Sequence, residues 1–202
     1  MNKENNKTEP NLEIIKSLED LIFICKKLNC RFRIFGSLIY AALKGKFYRE
    51  IGDIDCFIDN NFKKVIVEEL KKKGYARLAI RDEDIPLFLY FIGFRTENFI
   101  KNHNKLSLFF VLFKKEYMEI PLKFGLSFRT PYNLINKNYR FYGKGFIGLI
   151  PEAAFFNLFF LKDKIKRNID ANILLSFCDF DIIKKIKNTD TFFWFNKRIP
   201  LI

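Results

Sequence analysis

The sequence predicts an α+β fold, with helices flanking a sheet and a helical segment at the C-terminus. Three observations carry this. Across residues 11–75 the apolar residues switch between a spacing of three to four and a spacing of two. The middle of the chain holds short runs, 87–94 and 106–113, apolar enough for buried strands. From Pro151 helical spacing returns, opened by a proline at the first helical position and by Glu152 in the first turn.

In chain order, residues 1–10 are polar and read as a flexible tail. Leu12, Ile15, Leu18, Ile22 and Cys25 then mark an amphipathic helix over 11–28. A half-buried strand over 31–35 ends at Gly36-Ser37, and a short helix runs over 38–44 to Gly45. Ile54, Cys56 and Ile58 alternate with Asp53, Asp55 and Phe57, a second strand. Asn60-Asn61 opens a helix over 62–73 that Gly74 closes. After the two apolar runs, Lys114-Lys115-Glu116 reads as a hairpin turn returning into 117–124. A loop at Thr130-Pro131 and a turn at Gly143 and Gly145 lead to helices over 152–167, 169–177 and 179–187. The organisation is a tail (1–10), a main domain (11–148) and a C-terminal helical segment (149–202) packed on it.

With 202 residues and 49% hydrophobic content the chain has material for a sizeable core. The net charge of +13 favours phosphate-bearing partners. Abundant Lys, Asn, Ile and Phe (26 Phe) also follow from AT-rich codons, so the charge does not identify the partner. Cys25, Cys30, Cys56 and Cys178 form no Cys-x-x-Cys pair and His103 is the one histidine, so a structural zinc site is not expected. Buried free thiols in a reducing cytoplasm fit the cysteines, and His103 belongs to an exposed polar turn. The runs 87–94 and 106–113 are too short to cross a bilayer. A third run, 146–161, is broken by Pro151, Glu152 and Asn157. No membrane partner is expected, and the expected location is cytoplasmic.

Two short motifs carry chemistry. Glycine after a strand lets the backbone approach a phosphate closely, and the following helix start presents N–H groups with the Ser37 hydroxyl. Asp53 and Asp55, two apart on a strand, share one face and can hold Mg²⁺. Gly-Ser alone or Asp-x-Asp alone is more often a turn or a solvated strand edge. Their succession, strand, Gly-Ser, helix, loop and Asp-x-Asp strand, points to a metal and triphosphate site. Lys44, Lys46 and Arg49 flank it as further cations able to meet phosphates.

This succession resembles the nucleotidyltransferase (polymerase beta-like) superfamily, and among its branches the small stand-alone members of the lincosamide nucleotidyltransferase and AbiEii-toxin type. The resemblance implies a mixed central sheet flanked by helices. It implies Mg²⁺-dependent transfer of a nucleoside monophosphate from a nucleoside triphosphate, ATP first, to an acceptor hydroxyl, with pyrophosphate released. The acceptor could be a small molecule, tRNA or protein, and an antitoxin partner belongs to the toxin branch. The alternative is a non-catalytic nucleotide- or RNA-binding module on a decayed fold of this kind.

Within the resemblance Asp53 and Asp55 are the metal ligands, and a third carboxylate is expected on a neighbouring strand. Glu119 is preferred, since it stands between apolar residues and is costly to bury without a partner such as a metal. Glu116 is its rival. Gly36 and Ser37 position the triphosphate, and Lys162 is its second anchor. Lys162 comes about one turn later than the lysine of related chains, and Lys166-Arg167 stands where they carry Lys-Asp. Asp170, before Asn172-Ile173-Leu174, fits their pattern.

Overall fold

The computed structural model describes residues 10–78, 91, 93–94, 96–158, 164–186, 191–194 and 197–199. Among them are six α-helices and one 11-stranded mixed sheet.

Two strands organise everything around them. β1 (Phe32–Phe35) runs antiparallel to β2 (Asp53–Asp59). Between them, α2 (Ser37–Lys44) leaves directly from the end of β1. On its far edge β2 pairs in parallel with the long β5 (Asn104–Phe113). β5 serves two partners on its other edge: β4 (Glu97–Lys101) along its first half, and β6 (Tyr117–Pro121) at Leu112 and Phe113. The short β3 (Ala76–Leu78) pairs with β4. β7 (Leu126–Pro131) continues the sheet from β6. On the opposite flank, the hairpin β8 (Lys137–Phe141) and β9 (Lys144–Gly148) joins β1 through a parallel contact at Ile34 and Gly148.

The two faces of β2 differ in kind. Ile54, Cys56 and Ile58 are fully buried, with α1 (Pro10–Lys27) packed on the strand and α3 (Lys63–Lys72) packed against α1. Each such aliphatic side chain contributes roughly 1.5–3 kcal/mol. Asp53, Asp55 and Phe57 face the other way, with Phe57 stacked on Phe35 at 4.3 Å. Alternation along one strand therefore puts the core on one face and the carboxylates on the other.

The buried stripe of α1 is Ile14, Ile15, Leu18, Leu21, Ile24 and Cys25, while Leu12 is exposed and Ile22 only partly buried. The helix is as expected, but its seam is rotated by about one position.

The C-terminal segment holds α4 (Pro151–Asn157), α5 (Lys164–Leu175) and α6 (Phe180–Ile186), with α4 and α5 packed on α2. Buried Glu152 accepts from Asp179 N–H at 2.8 Å, and the Asp179 side chain caps the start of α6. The segment is not wholly helical: β10 (Thr191–Trp194) and β11 (Lys197–Ile199) form a hairpin that extends the sheet beyond β7. Thr130-Pro131, expected in a loop, ends β7, because its backbone completes the ladder to Tyr117 and Met118. The strand expected over 87–94 lies mostly outside the described residues, as does the tail over 1–9. No described helix is long and apolar enough to cross a membrane. Cys25, Cys30 and Cys56 are free and buried, and His103 is exposed in the turn between β4 and β5.

Candidate active site

The site begins with a glycine that nothing else could replace. Gly36 has φ +74° and ψ −154°, a region essentially closed to residues with a side chain. A Cβ placed on it would lie 2.5 Å from Asp55 Oδ2. Phe35 and Asp55 are ladder partners, so the strand end that delivers Gly36 delivers it against the Asp55 carboxylate. The phosphate-approach motif and the Asp-x-Asp motif, 19 residues apart by numbering from Gly36 to Asp55, thus meet.

Ser37 is the first residue of α2, and its Oγ accepts from Arg49 Nη2 at 2.6 Å. Arg49 is held in turn by Asp170 of α5, with Nε to Oδ1 at 3.1 Å and Nη2 to Oδ2 at 2.9 Å. Tyr48 donates its hydroxyl to the same Oδ1 at 2.6 Å. Asp170 is fully buried, so this forked pair satisfies a carboxylate that could not otherwise remain inside. Burial works against the charge on Arg49, but the bonds and charge of Asp170 outweigh it and hold the guanidinium above its ordinary range. Burial, then the bond to Asp170, pushes the Tyr48 hydroxyl up, so Tyr48 stays a donor.

On the other side of β2, the ladder sets Lys105 opposite Asp53 and Ser107 opposite Asp55. Lys105 Nζ lies 3.3 Å from Asp53 Oδ2. Ser107 is fully buried, and its Oγ has no hydrogen-bond partner among the described residues. Asn98 of β4 continues the same row.

The structure brings Gly36, Ser37, Asp53 and Asp55 together. It does not bring Glu119 to them. Glu119 stands on β6 opposite Leu112, five residues further along β5 than Ser107. That is about 17 Å of strand, and an odd step puts it on the other face of the sheet. Its partner is Arg129 of β7, its ladder neighbour, at 2.9 Å from Nε to Oε1. The Glu119 carboxylate, set among apolar neighbours, is met there by the Arg129 guanidinium. Glu116 lies in the exposed turn before β6. No group of three or more His, Cys, Asp and Glu able to hold a metal occurs among the described residues. Lys162 lies outside the described residues. Lys44 and Lys46 are exposed, whereas Arg49 is at the site.

The residues missed as a working unit are Tyr48, Asp170, Lys105 and Ser107. Arg49 and Asp170 each stand out in the sequence, but 121 residues separate them and no local pattern pairs them. Ser107 follows from sheet register alone. A crevice of about 370 Å³, lined by Lys26, Arg31, Arg33 and Phe146 among others, contains none of the site residues.

No protein-family model matches the chain, and no curated protein matches it in sequence. Solved structures do share its fold. The lincomycin-bound lincosamide antibiotic adenylyltransferase LnuA is similar with a TM-score of 0.63 and 13% identity, over 81% of this chain and 97% of that one. The solution structure of the antibiotic-resistance factor ANT(2″)-Ia gives 0.65 and 11%, over 87% and 89%. The crystal structure of ANT(2″)-Ia with adenylyl-2″-tobramycin gives 0.64 and 10%, over 86% and 94%. At such identities the likeness is one of fold: a mixed sheet with flanking helices, as in these nucleotidyltransferases.

Proposed function

We propose that this chain is a Mg²⁺-dependent nucleotidyltransferase. It moves a nucleoside monophosphate from a nucleoside triphosphate, ATP first, to a hydroxyl of a small polar acceptor, and releases pyrophosphate. The observation that carries this is the approach of Asp55 Oδ2 to within 2.5 Å of where a Gly36 Cβ would stand, which joins a phosphate-approach turn to an Asp-x-Asp strand. The fold of LnuA and ANT(2″)-Ia supports it, and the molecules bound in those structures, lincomycin and adenylyl-2″-tobramycin, motivate the small acceptor.

The residues fit a magnesium ion of the kind held by one or two carboxylates together with substrate phosphates. Asp53 and Asp55 would hold it, and when bound it supplies charge neutralisation along the triphosphate. Gly36 admits a phosphate close to the backbone. The Ser37 hydroxyl and the first N–H groups of α2 bind phosphate oxygens. Lys105, beside Asp53, adds positive charge to the same face. These groups act by alignment and charge compensation fixed before the reaction begins. In this assignment residues 11–148 form the catalytic domain, and α4 and α5 of the C-terminal segment (149–202) brace α2 from outside.

A second reading, nucleotide binding without transfer, is favoured by one observation. Lys105 and Ser107 occupy the strand positions beside the aspartates, where the resemblance calls for a third acid. One experiment separates the two. The protein is incubated with each α-labelled nucleoside triphosphate and Mg²⁺, alone and with aminoglycosides, lincosamides or total RNA. Label on a small acceptor supports the proposal. Label on RNA or on protein reassigns the acceptor, and with it revives a toxin with an antitoxin partner. Nucleotide binding with no label transferred supports the second reading. Asp53→Asn or Asp55→Asn should lower transfer by about 10²–10³-fold with the fold retained; full activity in either variant overturns the assignment.

A further inference from the structure

We propose that Arg49 is a positioning residue for the triphosphate: clamped by buried Asp170, it fixes the Ser37 hydroxyl as a donor aimed at the phosphates. This rests on the nucleotide site proposed above and assigns a role to two residues outside its motifs.

The geometry leaves the hydroxyl little choice. A serine hydroxyl carries one donor and two acceptor lone pairs. Arg49 Nη2 donates to Ser37 Oγ at 2.6 Å, and a guanidinium accepts nothing. The hydroxyl hydrogen must therefore point away from Arg49. Accepting a bond from a cation also polarises the O–H and makes it a stronger donor.

Arg49 itself cannot swing. Nε and Nη2 are forked onto Asp170 at 3.1 and 2.9 Å, and Nη1 donates to the Glu50 carbonyl at 2.9 Å. Asp170 accepts from Arg49 on both oxygens and from Tyr48 on Oδ1 at 2.6 Å. An arginine recruited only to neutralise Asp170 would be complete without Ser37. Its third direction, taken by Nη2, is the one that reaches the first turn of α2 beside Gly36. The pair so links α5 to the phosphate-facing end of α2.

The test is a double-mutant cycle on nucleotide affinity. Binding of α,β-methylene-ATP with Mg²⁺ is measured by titration calorimetry for the full chain, Ser37→Ala, Arg49→Lys and the double variant. Ser37→Ala should weaken binding about tenfold or more, the loss of a hydrogen bond to a charged group. Arg49→Lys keeps a charge for Asp170 but lacks the fork that reaches both partners, and should weaken binding to a similar extent. The double variant should be no weaker than the weaker single, because Arg49 acts through Ser37. Ser37→Thr, which retains the hydroxyl, should restore most of the affinity. Losses that multiply overturn the proposal, as does Arg49→Lys binding like the unaltered chain. If Arg49→Lys does not fold, Asp170→Asn takes its place in the cycle with the same expectation. Failure of the unaltered chain to bind the analogue overturns the nucleotide site itself, and this role with it.

Discussion

Two arginine–carboxylate pairs, Arg49–Asp170 and Arg129–Glu119, are alike in chemistry and unlike in position. Both are largely shielded from solvent, with side-chain exposures of 16% and 0% in the first and 17% and 12% in the second. Arg129 and Glu119 are ladder neighbours on adjacent strands, ten residues apart, with Arg129 also lying over the Tyr117 ring. They stabilise a local stretch of sheet. Arg49 and Asp170 are 121 residues apart, and their bonds continue into Tyr48 and Ser37. They tie the C-terminal helices to the first turn of α2. A carboxylate among apolar neighbours thus announces that it has a partner; only the tertiary structure says whether that partner serves the site.

The contrast can be broken at either pair. Asp170→Ala leaves a buried guanidinium without its counter-charge and should cost about 3–5 kcal/mol of stability, read by denaturant titration. Gly36→Ala forces a Cβ into the Asp55 carboxylate at positive φ and should cost about 1–3 kcal/mol. Displacing that carboxylate should also lower transfer by about 10²-fold. Glu119→Ala should cost only about 1–2 kcal/mol and leave nucleotide affinity unchanged. A loss of transfer in Glu119→Ala with intact stability would invert the contrast and return Glu119 to the site.

The smallest effect is one of pH. Hydrogen bonds from Lys27 and Lys72 hold the Glu69 carboxyl down to about 2. At Asp20, burial pushes the pKa up, but bonds from Lys73 and Lys101 outweigh it, and the group lies below its ordinary value. Depressed carboxylates stabilise the fold above their unfolded values, and that stability is lost as pH falls through the folded ones. Tm should therefore be flat near neutrality and fall as pH drops from 4.5 toward about 2. Lys27→Met should make that fall shallower; an unchanged profile would show that the link between α1 and α3 contributes nothing.

Gly36, Ser37, Asp53 and Asp55 were legible in the sequence because local geometry specifies them. Alternation on β2 separates core from carboxylates, and a glycine between strand and helix marks the close approach. The helices α1, α2 and α3 and the strands β1, β2 and β5 were legible for the same reason, within a few residues at each end. The rest depends on register. Ser107 is beside Asp55 only because β5 pairs with β2 at that offset. Glu119 was drawn toward the site by its apolar neighbours, since burial cost indicates need but carries no direction. The hairpin of β10 and β11 escaped because its place is set by β7, about sixty residues earlier in the chain.

The reach from Arg49 to Asp170 also orders events in time. As the chain emerges from the ribosome, the Gly-Ser turn and both aspartates appear early and can pair locally. The counter-charge for Arg49 appears 121 residues later. At synthesis rates of roughly 5–20 residues per second, the first turn of α2 waits several seconds or more for the clamp that holds Ser37. The clamp can therefore close only after α5 has been made, and nucleotide should be bound more tightly by the finished chain than by its nascent half.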